Sequence, residues 1–291
     1  MRAVKTVLVA TDFSPASHTA MRQASRLCGK LGAALHVVHV LPAEGVKEIR
    51  GLIPDSADDI QSQIVRVAEE RLSDEVRTAG VHAASTRVSL GSAVAGIMRA
   101  VEDVRADLLV IGSHGTGGRR FGTIASRCMH KSPVSVMMVP ENQGDAFSRL
   151  VVGIDFSEGS GAVLEHAVGI ASLDGASIVA ANVYDLPWDT GWGAAPPNNA
   201  RQLEEALHAS LKAQFEAILP DGAKGLSVSF ETVSGVDYGA EIAGFAARQR
   251  ADLVVVGMTG RSALGYFLLG STAEKTMRDT TCAVLAVKGS G

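Results

Sequence analysis

The chain has 291 residues, a formal net charge of −4, 46% hydrophobic residues and only 4% aromatic ones. This length favours two domains of about 100–200 residues over one, and the weak charge without a basic run excludes the electrostatic footprint of a nucleic-acid binder. No apolar run reaches the roughly 20 residues of a membrane span. The first residues run straight into a strand pattern rather than a signal peptide, and the expected setting is the cytoplasm. Cys28, Cys128 and Cys282 form neither a C-x-x-C pair nor a disulfide framework, and are expected to be buried, reduced thiols.

In chain order, Thr6–Ala10 is a continuous apolar run and reads as a buried strand. Ser14-Pro15 supplies an N-cap followed by proline at the first helical position. That helix is expected to reach Leu31 and to end at Gly32. A second strand covers Ala34–Val40. Ile60, Ile64, Ala68 and Leu72 then mark one face of a helix closed by Gly80. A third strand is expected near Val81–Val88, a helix over Ala93–Arg105 and a fourth strand at Leu108–Ile111. A glycine-rich loop, another helix and a fifth strand, Val134–Val139, complete the unit.

The unit then recurs. Thr6–Ser14 matches Arg149–Ser157, setting Asp12 against Asp155, 143 residues apart. Ala106-Asp107-Leu108 matches Ala251-Asp252-Leu253, 145 residues apart. Two matches in the same order with so little drift indicate duplication. Leu203, Leu207, Leu211 and Phe215 repeat the amphipathic helix. Residues 1–141 and 148–291 are thus expected to be tandem α/β domains, each a doubly wound parallel sheet. Glu141–Ser148 reads as a short polar linker and Asp185–Ala200 as an irregular loop.

In such sheets ligands bind beyond the carboxyl ends of the strands, where the strand order reverses. Asp12 or Asp155 ends strand one there. Strand four leads into Gly257-Met258-Thr259-Gly260, then nine residues, then Gly270-Ser271 opening a helix. Close backbone approach at the glycines and a helix N-terminus suit an anion, with Arg261 and Lys275 as nearby cations. Ser271 with Glu274 equally fits a capping box that needs no ligand. Ser271 stands where a P-loop has lysine, and no G-x-G-x-x-G follows a first strand, which excludes both of those phosphate signatures.

The spacing Gly257-x2-Gly260-x9-Gly270-Ser271, behind an Ala-Asp-Leu strand and with Asp155 ending strand one, resembles the ATP-binding universal stress proteins. The resemblance spans both copies. It implies strand order 3-2-1-4-5, adenine and ribose near Asp155 and Val183, and phosphates on Gly257, Gly260, Gly270 and Ser271. It further implies an intramolecular pseudo-dimer paired through the fifth strands. Further homodimer formation stays open.

In the first copy the corresponding positions are Asp12, Val40, Gly112, Gly115, Gly122 and Thr123. There the loop from Gly115 to Gly122 is three residues short, unless Ala125-Ser126 takes the place of Gly122-Thr123. The expected function is a stress-response protein binding ATP or ADP, chiefly in its C-terminal domain and with Mg²⁺ recruited through water by Asp12 or Asp155. It is expected not to be an enzyme. A slow ATP hydrolase and a nucleotide-free scaffold are the alternatives. His114 is read as a solvated loop residue, and His36 and His39 as structural residues on opposite sheet faces. Trp188 and Trp192 are read as cover for a sheet edge.

Overall fold

A computed structural model describes residues 4–44, 57–113, 122–186, 188, 195–258 and 270–289. The chain divides into two compact units, one holding residues 3–145 and the other residues 146–291. Among the described residues no helix is long and apolar enough to cross a membrane.

The first unit runs β1 (Thr6–Thr11), α1 (Pro15–Leu31), β2 (Ala34–Pro42), α2 (Ala57–Thr78), β3 (Ser85–Gly91), α3 (Ala93–Asp103), β4 (Leu108–Gly112), α4 (Thr123–Lys131) and β5 (Ser135–Val139). All its strands are parallel, in the order β3-β2-β1-β4-β5. The second unit runs β6 (Arg149–Gly153), α5 (Ser160–Asp174), β7 (Ser177–Tyr184), α6 (Ala200–Ile218), β8 (Val228–Ser234), α7 (Tyr238–Arg248), β9 (Leu253–Gly257), α8 (Ser271–Asp279) and β10 (Ala283–Val287). Its order, β8-β7-β6-β9-β10, is the same 3-2-1-4-5 arrangement. The reversal beside β1 or β6 is the topological switch that opens a crevice at the strand ends.

Each local signal has a physical counterpart. Ser14 Oγ accepts from the Ser17 amide at 3.2 Å, Pro15 opens α1, and Gly32 ends it in a left-handed conformation. Val7, Val9, Leu109, Val110, Leu150, Val152, Val254 and Val255 are fully buried, as expected of strands covered on both faces. The aspartate of each Ala-Asp-Leu segment clamps the start of the central strand. Asp107 Oδ2 accepts from the amides of Lys5 at 2.8 Å and Thr6 at 3.0 Å. Asp252 does the same for Ser148 at 2.7 Å and Arg149 at 3.2 Å.

Two expectations need correction. The third strand begins at Ser85 rather than Val81, because Gly80 turns left-handed and the Val81 amide bonds back to Val76 O, using Val81 to close α2. On α6 only the C-terminal half of the apolar stripe is buried: Leu211 and Phe215 are covered, whereas Leu203 is 45% exposed. The expected linker Glu141–Ser148 holds the boundary between the two units, and it is anchored on both sides of that boundary. Thr19 holds the carbonyl of Glu141, Gln23 holds those of Gly144 and Asp145, and Phe147 is buried with its amide on Asp174.

Candidate functional site

The crevice of the first unit is a cavity of about 510 Å³ beyond the ends of β1, β2 and β4. This is ample for a small-molecule ligand, whose sites run to about 300–1,000 Å³. Of the site positions named in the first copy, Asp12, Val40, Gly112, Gly122 and Thr123 all line it. Gly115 lies outside the described residues, as does His114. Apolar groups from Val38, Pro42, Ala93, Ile97 and Ile124 complete walls that sequence reading did not name.

One end of the cavity is the start of α4. Gly122 is the N-cap at φ −75°, ψ 143°, with no side-chain cap, so the amides of the first turn supply partial positive charge. The loop is closed at its base by the Gly122 amide donating to Ser113 O at 2.9 Å. The helix starts at Thr123, so Ala125 and Ser126 lie within it and the three missing residues fall in the loop.

The second unit carries the same frame. Gly270 is the N-cap of α8 at φ −64°, ψ 144°, and its amide donates to Met258 O at 2.7 Å. Ser271 is the first helical residue and makes no cap, so the capping box with Glu274 does not form. Gly257 ends β9 beside this closure. Gly260 and Arg261 lie outside the described residues. Lys275 is committed elsewhere: its ammonium pairs with Asp237, the N-cap of α7. That hydrogen bond, joined by the Ala240 amide, holds the Asp237 carboxyl below its usual range. The two helices meet closely because a Cβ on Gly239 would lie 2.6 Å from Lys275 Cβ.

The carboxylates at the end of strand one are partly occupied by their own turns. Asp12 Oδ1 accepts from the Ser14 amide at 3.1 Å. Asp155 Oδ1 accepts from the Ser157 amide, Ser157 Oγ and Ser160 Oγ at 3.0, 2.6 and 3.1 Å. The next residue in each copy, Phe13 or Phe156, has φ near +60°. For a bulky side chain this is a costly conformation, and here it recurs at the mouth of both crevices.

The second strand ties in from the side. His39 Nδ1 donates to Thr11 O at 2.8 Å, and Asn182 Nδ2, its counterpart, donates to Ile154 O at 2.8 Å. His36 is bonded separately to Ser85, at 2.7 Å. Val183 lies in β7, partly exposed, as Val40 does in β2. Trp188 donates to Glu204 on α6 at 3.4 Å, while Trp192 lies outside the described residues. Among the described residues no cluster of His, Cys, Asp and Glu is arranged to hold a metal.

Comparison with known proteins agrees with this architecture. Universal stress protein MJ0531 of Methanocaldococcus jannaschii is 31% identical over 153 residues, covering 50% of this chain and 85% of that protein. Universal stress protein Rv1996 of Mycobacterium tuberculosis is 27% identical over 317 aligned positions, covering 97% of this chain and 94% of its own length. The crystal structure of a universal stress protein from Archaeoglobus fulgidus superposes with a TM-score of 0.67 at 22% identity, covering 98% of this chain and 96% of that one. The family model for the universal stress protein family matches twice, over residues 3–140 and 146–288. The chain is thus a tandem member of the universal stress protein family.

Proposed function

We propose that this chain is a cytoplasmic stress-response protein that binds ATP or ADP, chiefly in its C-terminal copy, as a nucleotide sensor or a nucleotide-dependent interaction protein. The observation that carries the reading is the pair of congruent loop closures, Gly270 to Met258 and Gly122 to Ser113. In the C-terminal copy this closure spans a loop with the full Gly260-x9-Gly270 spacing, and on this reading that length accommodates a polyphosphate beside the amides of α8. The cavity in the first unit supports the same use of the fold, and on this reading its shorter loop leaves a smaller phosphate compartment.

Binding rather than turnover is the favoured activity. Asp155, which would serve as the base in a hydrolase, already accepts three hydrogen bonds at one oxygen. Mg²⁺ would accompany the phosphates mainly through its waters, as is usual for that ion.

Titration calorimetry with ATP on the full chain tests the reading, with about one strong site per chain expected. Gly270→Val is the discriminating variant. The φ of −64° at Gly270 suits any residue, so the fold should survive while added bulk obstructs the anion site. Unchanged ATP affinity in that variant would remove the assignment. Mass spectrometry of gently purified protein adds a second check: adenine nucleotide carried through purification speaks against an empty scaffold.

A further inference from the structure

The two copies differ at one wall of the crevice. In the first, Pro42 at the end of β2 and Ala93 at the start of α3 both line the cavity, together with Val40. Strand β7 follows β2 at a constant shift of 143 residues, which puts Val183 at the place of Val40 and Asp185 at that of Pro42. Helices α3 and α7 are both 11 residues long, and Tyr238 opens α7 as Ala93 opens α3. Two small, apolar wall positions of one copy have therefore become an aromatic residue and a carboxylate in the other. They meet: Tyr238 Oη donates to Asp185 Oδ1 at 3.1 Å.

We propose that Tyr238 is a stacking platform for the planar base of the nucleotide in the C-terminal copy, held in position by Asp185. This rests on the adenine-nucleotide reading above and adds to it the residue that recognises the base. Asp185 follows directly on β7, and the first-copy counterparts of Val183 and Asp185, Val40 and Pro42, line one cavity together. Tyr238, bonded to Asp185, therefore stands beside the strand position that the family resemblance places next to adenine. The residue remains 42% exposed although its hydroxyl is anchored. A ring fixed at its tip, with only two side-chain torsions, loses little further freedom when a flat ligand covers it. An anchored phenol also contributes a π-face without contributing charge, so it discriminates on the base and not on the phosphates.

ATP affinity measured by calorimetry on the full chain, with Tyr238→Ala and Tyr238→Phe beside the wild type, tests the proposal. Thermal denaturation confirms that each variant is folded. Removing a base-stacking aromatic is expected to weaken ATP binding roughly five- to a hundredfold. Tyr238→Phe keeps the ring and loses only the anchor, so it should stay within about threefold of wild type. Wild-type affinity in Tyr238→Ala would overturn the proposal. So would equal losses in both variants, since that result makes the residue a latch to Asp185 and not a platform. If the wild-type chain binds no ATP at all, the nucleotide reading itself fails and this inference falls with it.

Discussion

Glu75 Oε1 accepts a hydrogen bond from Thr11 Oγ1 at 3.2 Å, joining α2 to the last residue of the central strand at the cavity edge. His18 Nε2 lies 3.0 Å from the same oxygen, while Oε2 is buried with no partner among the described residues. Burial raises the Glu75 pKa, opposed by His18, Thr11 and Arg71 and assisted by Asp12.

A raised native pKa means that the stability contributed by this group is complete below the ordinary glutamic acid value of about 4.3 and is lost as pH rises through the native value. Glu75→Gln, permanently neutral, should therefore gain on wild type as pH increases. Urea denaturation at several pH values between about 4 and 8 measures the difference. A constant gap across that range would show Glu75 to be ionised at its ordinary pKa.

Gly112→Ala should destabilise the first unit by about 1–3 kcal/mol, the usual cost of overpacking. The added Cβ would lie 2.8 Å from the Ser17 amide nitrogen and 2.9 Å from the Ala16 carbonyl carbon, both backbone atoms of α1 that cannot yield. The first glycine of this loop is therefore required by helix packing before any ligand is considered. Chemical denaturation of the variant without nucleotide isolates that contribution.

Asp107→Ala and Asp252→Ala should each cost about 1–2 kcal/mol, because each removes a charged acceptor from two strand amides at a partly solvated site. Equal losses in the two variants would match the duplicated geometry. Two-step unfolding curves would assign each loss to its own unit.

The three thiols should resist labelling in the native protein. Burial pushes Cys28 up to about 11 and both Cys128 and Cys282 up to about 12. At about pH 8 almost no thiolate is then present, and thiolate is the reactive species. Iodoacetamide should modify all three only after denaturant is added, as read by intact mass.

Much of the frame was legible because it rests on local rules. Ser14-Pro15 and Gly32 bound α1 through capping and left-handed backbone, and apolar runs without alternation marked the central strands. Duplication made the alternation of strands and helices readable twice, whereas the strand order was what the family resemblance implied. Contacts between segments distant in sequence were harder to see. Glu75 looks like one more solvent-facing helix residue until α2 is laid against Thr11, and Phe147 sits in a stretch that is otherwise polar. Ser271 shows the opposite failure: its spacing to Glu274 suggested a cap, yet the helix begins one residue too early for that hydroxyl to serve. Tyr238 and Asp185 become meaningful only when the two copies are laid over each other, since neither belongs to a motif.

The aspartate clamps also bear on how the protein is made. Lys5 and Thr6 wait for an acceptor about one hundred residues downstream, and Val7 pairs with Leu108 on β4. A nascent first copy therefore leaves the ribosome with its central strand flanked only by β2 until the segment near Asp107 has emerged. Such long-range closure is slow and leaves apolar edges uncovered during synthesis. The same delay recurs in the second copy, where Ser148 and Arg149 await Asp252.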